Sequence, residues 1–285
     1  MKNVAGSGGK WLDVSAERLP GWIASFAVRH GVFDGGATSG EALTVAVGDD
    51  HVSFTAQDGA VAQCYPPFPP TAGITPLLEE VTPPARLDDP AVFPAGFDDP
   101  AAIAEALAAH ARKPRTVGVL LVRLGGYAAG VFTGYPPALG AAKVGSRLVH
   151  GRSAAGGWSQ HRFARRREKQ ANEALSAAAD AAVLIFGGGA GAGPGGAAVR
   201  STSQKRATTS GAAATARPQP RAARLDAVVL GGDRRAVADL RDDPRLAPYF
   251  GLATERFLTV PDPKRAVLLE AAKQFTAVRI WLTEP

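Results

Sequence analysis

Residues 116–133, TVGVLLVRLGGYAAGVFT, decide the fold. The first nine are a nearly continuous apolar run, which reads as a strand. Gly125-Gly126 makes a turn, and YAAGVFT returns as a second strand. Residues 139–150 supply a third, alternating at Ala142, Val144, Ser146 and Leu148. A loop over 151–160 feeds a long helix over about 162–185, whose stripe Leu175, Ala178, Ala179 and Ala182 packs on the sheet. Downstream, LDAVVL at 225–230 reads as a buried strand. Gly231-Gly232-Asp233 then caps a short helix over 234–240. A strand at 255–260, a helix at 263–275 and a last strand at 277–282 complete the pattern. The expected fold class is α/β, a mixed sheet with packed helices.

Upstream, residues 11–65 read as a small α+β unit. LPGWIASFAVRH at 19–30 carries a helical stripe at Trp22, Ile23, Phe26 and Ala27. Two short strands at 42–47 and 51–56 flank Gly48-Asp49-Asp50, a hairpin signal. Residues 66–100 are rich in Pro and Asp and read as an extended surface connector, followed by an Ala-rich helix over 100–112. The expected units are thus 1–95, with its Pro-rich connector, and 112–285. Residues 187–221 are rich in Gly, Ala, Ser and Pro and carry no acid, which predicts a disordered insertion.

Composition excludes several classes. With 46% hydrophobic residues the 285-residue chain can bury a core. The single cysteine, Cys64, permits no intrachain disulfide and reads as a buried, inert thiol. The histidines His30, His51, His110, His150 and His161 show no metal-ligand spacing, so no metal and no cofactor are expected. No signal-peptide core and no membrane-length apolar run is present, which predicts a cytoplasmic protein with no membrane partner.

Lys and Arg outnumber Asp and Glu by 32 − 26 = 6, and the excess is uneven. Residues 143–169, KVGSRLVHGRSAAGGWSQHRFARRREK, hold eight Lys/Arg and one acid, Glu168. Arg162, Arg165, Arg166 and Lys169 fall at i, i+3, i+4, i+7 on one helix face, suited to RNA phosphates. Arg147 and Arg152 extend the patch. A solvated helix face is the bland alternative, weakened by the shortage of acids at i,i+4. Before the helix lies Gly156-Gly157-Trp158-Ser159-Gln160, a Gly-rich loop ending on an amide. Trp158 either stacks on an unpaired base or anchors the loop on its own domain. Ser159 reads as an N-cap. A Ser159–His161 nucleophile and base pair is disfavoured, because residues two apart are poorly placed and no carboxylate orients the histidine. Gly231-Gly232 reads as a structural turn.

The segments KVGSR…GRSAAGGWSQHRFARRREKQANEAL and LDAVVLGGDRRAV resemble the Vms-like release factors in their actinobacterial branch. These are relatives of the catalytic middle domain of the eukaryotic and archaeal peptide-chain release factor. The likeness covers about residues 112–285. It implies an RNase H-like domain that hydrolyses peptidyl-tRNA, with the large ribosomal subunit, peptidyl-tRNA and ribosomal RNA as partners. The family's catalytic glutamine falls on Gln160 and its loop glycines on Gly156 and Gly157. Trp158 and Ser159 interrupt the family's Gly-Gly-Gln motif here. The resemblance predicts a codon-independent peptidyl-tRNA hydrolase in which Gln160 positions water. A non-catalytic ribosome- or tRNA-binding adaptor using the basic helix is the alternative. A metal-dependent nuclease is opposed by the absence of any Asp or Glu from 116–160.

Overall fold

The computed structural model describes residues 8–31, 43–70, 73–79, 99–123, 125–146, 159–188 and 224–285, with the backbone alone at 76, 79 and 159–169. The expected disordered insertion 187–221 lies outside the described residues from 189 onward.

The first sheet is antiparallel throughout. It contains β1 (Lys10–Val14), β2 (Leu43–Val47), β3 (Val52–Ala56), β4 (Val61–Tyr65) and β10 (Val278–Thr283), in the order β1-β10-β4-β3-β2. Burial alternates strictly along β3, β4 and β10, as a sheet with one covered face requires. The inward set includes Val52, Phe54, Ala62, Cys64, Ile280 and Leu282. It packs in one core with Leu19, Ile23 and Phe26 of α1 (Leu19–His30) and Ile103, Leu107 and Ala111 of α3 (Pro100–Arg112). Asp99 caps α3, its carboxylate accepting from the amides of Ala101 (2.9 Å) and Ala102 (3.3 Å). Cys64 is fully buried, and burial pushes its thiol far up.

Two expectations for this region are corrected. The Pro-rich stretch is not surface connector throughout: α2 (Thr75–Glu79) packs on α3, and Ile74, Leu77 and Leu78 lie in the core. Proline is compatible with the first turn of a helix, so TPLLE folds despite its flanks. The expected last strand forms at Val278–Thr283, but it joins the first sheet, between β1 and β4. The VRIWLT alternation suits a sheet covered on one face, not the doubly covered second sheet.

The second sheet holds β5 (Arg115–Arg123), β6 (Gly126–Gly134), β7 (Ala138–Ser146), β8 (Ala227–Gly232) and β9 (Ala253–Leu258) in the order β7-β6-β5-β8-β9. β5, β6 and β7 form an antiparallel meander, and β8 and β9 run parallel to β5. The molecule is therefore α/β, with a mixed sheet. Residues 118–122 and 227–231 are buried without alternation, because helices cover both faces. One face carries α4 (Ser159–Phe186), through Ala178, Ala179, Ala182, Ile185 and Phe186. The other carries α7 (Arg265–Thr276), through Leu268, Ala271 and Phe275. Between β8 and β9 lie α5 (Arg234–Asp239), a 3-10 turn (Leu240–Asp242) and α6 (Ala247–Phe250). Of these, only α5 was legible as an element in the sequence.

Three polar links join the sheets. Arg256 of β9 lies 2.9 Å from Asp13 of β1 and donates to the Ala277 carbonyl at 2.8 Å. The Arg115 guanidinium sits 5.0 Å from the Phe68 ring centroid. Tyr135 donates its phenolic proton to Glu17. Burial, together with that carboxylate, pushes the Tyr135 phenol up to about 12.

Candidate functional site

Helix α4 is 28 residues long, about 42 Å at 1.5 Å per residue. It starts at Ser159, earlier than the expected 162, so Ser159 and Gln160 stand in its first turn rather than in a loop. Ser159, the expected N-cap, is the first residue of the helix. Among the described side chains of α4, which begin at Gln170, the first fully buried position is Ala178. Gln160 therefore lies about 27 Å along the helix from the first fully buried turn. The intervening turns carry Arg162, Arg165, Arg166 and Lys169 at positions on one side, roughly opposite the stripe of Ala178, Ala179 and Ala182. The described residues include the backbone, but not the side chains, of Ser159, Gln160 and these four basic positions. Gly156, Gly157, Trp158, Arg147 and Arg152 lie outside the described residues.

The packed half of α4 is held by contacts the sequence did not announce. Arg245 bridges Asp180 of α4 at 2.7 Å and Asp243 at 2.6 Å. The Asp243 and Asp180 carboxylates hold its guanidinium firmly protonated, and Arg245 in turn lowers Asp243. Phe186 meets Tyr249 edge-on, with ring centroids 5.2 Å apart. Asp180 and Arg245 are 65 residues apart, so no local spacing signals the clamp.

Between α4 and the C-terminal ends of β5 and β8 lies a cavity of about 520 Å³. Arg123, Gly125, Asn172, Leu175, Asp233 and Arg235 line it. Asp233 is committed to capping α5, accepting from the Arg235 amide at 2.8 Å. Arg123 donates to the Val260 carbonyl at 2.9 Å. The Gly231-Gly232 turn at this edge is structural. Gly232 has φ +102°, and a Cβ there would stand 2.1 Å from the Val122 carbonyl oxygen. A Cβ at Gly231 would stand 2.8 Å from that of Leu258. Among the described residues no group of three or more His, Cys, Asp or Glu side chains could hold a metal, and no helix is long and apolar enough to cross a membrane.

Fold and site together define an α/β protein whose mixed sheet packs against the C-terminal part of one long helix, with Gln160 and four basic positions in the sequence of its first turns. Residues 115–281, more than half of the chain, match the family described as Actinobacteria/chloroflexi VLRF1 release factor. The chain belongs to that release-factor family. No curated protein matches it.

Proposed function

We propose that this release factor is a codon-independent peptidyl-tRNA hydrolase of the cytoplasm, freeing nascent chains from stalled ribosomes or large subunits, with Gln160 positioning the attacking water. The observation that carries the reading is the match of residues 115–281 to a release-factor family, with Gln160 at the start of a 28-residue helix inside that match.

Hydrolysis adds water to the ester carbonyl carbon, passes through a tetrahedral oxyanion and breaks the bond to the 3′-oxygen of the terminal ribose. The proton lost by water ends on that 3′-oxygen. An amide does not titrate near neutrality, so Gln160 is no general base. Its carbonyl oxygen accepts from the water, and its NH₂ donates. The first amides of α4 lack intrahelical acceptors, and the helix dipole is positive at that end, which favours the oxyanion. The rate gain comes from positioning and fixed dipoles. Proton transfer falls to the 2′-hydroxyl of the tRNA end and to the ribosome. The isolated chain should therefore hydrolyse free peptidyl-tRNA poorly.

Arg162, Arg165, Arg166 and Lys169, extended by Arg147 and Arg152, are assigned to phosphates of ribosomal RNA and tRNA. Gly156 and Gly157, with Trp158 and Ser159, give the segment before Gln160 its reach. The order β7-β6-β5-β8-β9, with an antiparallel meander followed by parallel strands, favours an RNase H-like core for the unit over 112–285. Residues 1–95 make the smaller unit, which the last strand completes.

The test measures peptide release from stalled ribosome–nascent-chain complexes. Gln160→Ala should lower the release rate by about 100-fold, the scale of losing one fixed dipole at the reacting centre, while ribosome binding persists. Unchanged release would leave the adaptor reading standing. In that case Arg165→Glu with Arg166→Glu would abolish binding while Gln160→Ala stayed silent.

A further inference from the structure

Among the described residues no helix covers the second face of the first sheet, and it carries a row of aromatic rings that the proposed chemistry does not use. Because side chains alternate, the face turned away from α1 and α3 presents Trp11, Trp281, Tyr65, Arg279, Gln63 and Ser53. Trp11 and Trp281 are cross-strand partners with ring centroids 5.0 Å apart. Tyr65 lies 5.4 Å from Trp11, and His51 stacks on Tyr65 at 4.9 Å. Trp11 remains 40% exposed. The Arg279 guanidinium carbon stands 4.2 Å from the Trp11 ring centroid. At the Tyr65 end the face runs into a cleft lined by Tyr65, Phe68, Arg256 and Arg279, with the acids Asp50 and Glu255 also on its wall.

We propose that this face binds unpaired RNA, with bases stacked on Trp11 and Tyr65 and a phosphate at Arg279. The choice of occupant follows from the chemistry of the face. Rings in series on a rigid sheet, Trp11 exposed and Tyr65 and Trp281 partly so, offer π surfaces that any base accepts. Gln63, Ser53 and Thr55 on the same face are uncharged hydrogen-bonding groups suited to base edges. The two guanidiniums of the cleft differ in use. Arg256 is committed to Asp13 at 2.9 Å and to the Ala277 carbonyl at 2.8 Å. Arg279 is at the aromatic row itself, where a guanidinium pairs with both a ring and a phosphate. A second link comes from the topology. β10 carries Trp281 and Arg279, and most of it lies within the residues that match the release-factor family. Its neighbours β1 and β4, which carry Trp11 and Tyr65, lie outside that match. The platform thus forms only when the amino-terminal residues add to the family domain. The proposal rests on the function above only for the presence of RNA at the place of work.

The test uses the full chain carrying Arg165→Glu and Arg166→Glu, so that the basic helix does not mask the sheet. A fluorescein-labelled single-stranded oligouridine and a duplex RNA of equal length are titrated by anisotropy, with tryptophan fluorescence as a second readout. The single strand is expected to bind better than the duplex and to quench tryptophan. Trp11→Ala is expected to weaken it roughly tenfold, the scale of losing one stacked base. Trp11→Phe is expected to keep most of the affinity, and Arg279→Ala to flatten the salt dependence. Thermal melts check that each variant folds; if Trp11→Ala does not, Trp11→Phe and Arg279→Ala carry the test. Equal binding by parent, Trp11→Ala and Arg279→Ala overturns the proposal. So does equal affinity for single strand and duplex, or capture of a proline-rich peptide in place of RNA. Gln160→Ala keeps oligouridine binding here. Release is measured on the chain with Arg165 and Arg166 intact, and oligouridine binding together with no Gln160-dependent release there would overturn the hydrolase and leave the platform in place.

Discussion

The two sheets solve the burial problem in opposite ways. The second is covered on both faces, and its central strands read as unbroken apolar runs, TVGVLLV in β5 and AVVLGG in β8. The first is covered on one, and its strands alternate, as in VAQCY of β4 and VRIWLT of β10. A sheet closed on both sides is a platform for placing something else, here the packed half of α4. A sheet left open on one side keeps its own surface for contact. The difference separates a rigid mount for the packed half of α4 from a candidate binding face.

The largest test of this contrast removes bulk from the closed sheet. Phe132 is fully buried, and its ring meets Phe275 at 5.4 Å. Phe132→Ala is expected to cost about 3–5 kcal/mol by chemical denaturation, from lost transfer energy plus the cavity left behind. Ser53→Thr, on the open face of β3, is expected to stay within about 0.5 kcal/mol. Similar costs for the two would show that the first sheet is also covered on both faces and would break the comparison.

A smaller effect sharpens how the sheets are tied. The Arg256 side chain is 16% exposed and Asp13 46%. Burial lowers the Arg256 pKa, and Asp13 opposes that shift. The two partners should therefore be unequal under mutation. Asp13→Ala strands a buried guanidinium and is expected to cost about 1–3 kcal/mol. Arg256→Met keeps the aliphatic stem and frees Asp13 to hydrate, so it is expected to cost less than Asp13→Ala in the same denaturation series. The reverse order would mean that the Ala277 carbonyl, not Asp13, is what Arg256 chiefly serves.

How much of this was legible in the sequence follows the same division. β5, β6, β7 and β8, the Asp233 cap and the α4 stripe were readable, because each is a local pattern of period two or 3.6. The partners of β10 were not. Alternation says that one face is covered but not which sheet a strand joins, and β10 follows its neighbours β1 and β4 by more than 200 residues. The Arg245 clamp was invisible for a similar reason. α2 was hidden because prolines flank and enter an apolar stretch short enough to pass for a connector. For the candidate site, the glutamine and the basic face were legible as residues. The start of α4 at Ser159, before the expected 162, was not, since the residue pattern marks no boundary between loop and helix there.

The smallest effect concerns the seam between the units. His110 ends α3, is 6% exposed, and its Nε2 stands 2.9 Å from the Phe68 carbonyl oxygen and 3.1 Å from an Arg115 nitrogen. Burial lowers its pKa first, and the cations Arg115 and Lys113 add to that. Hydrogen bonding to the carbonyls of Phe68 and Pro67 opposes it. The folded imidazole is thus neutral at a pH where the unfolded one, with a pKa of about 6.5, takes up a proton. Stability tied to His110 is complete above about pH 6.5 and is lost as pH falls below it, because the unfolded chain then binds the extra proton. His110→Gln retains a donor and does not titrate. Melting curves at about pH 7.5 and about pH 5.5 should show a smaller acid loss for the variant than for the parent. Equal losses would mean that other groups dominate the acid response and that the seam does not sense the proton.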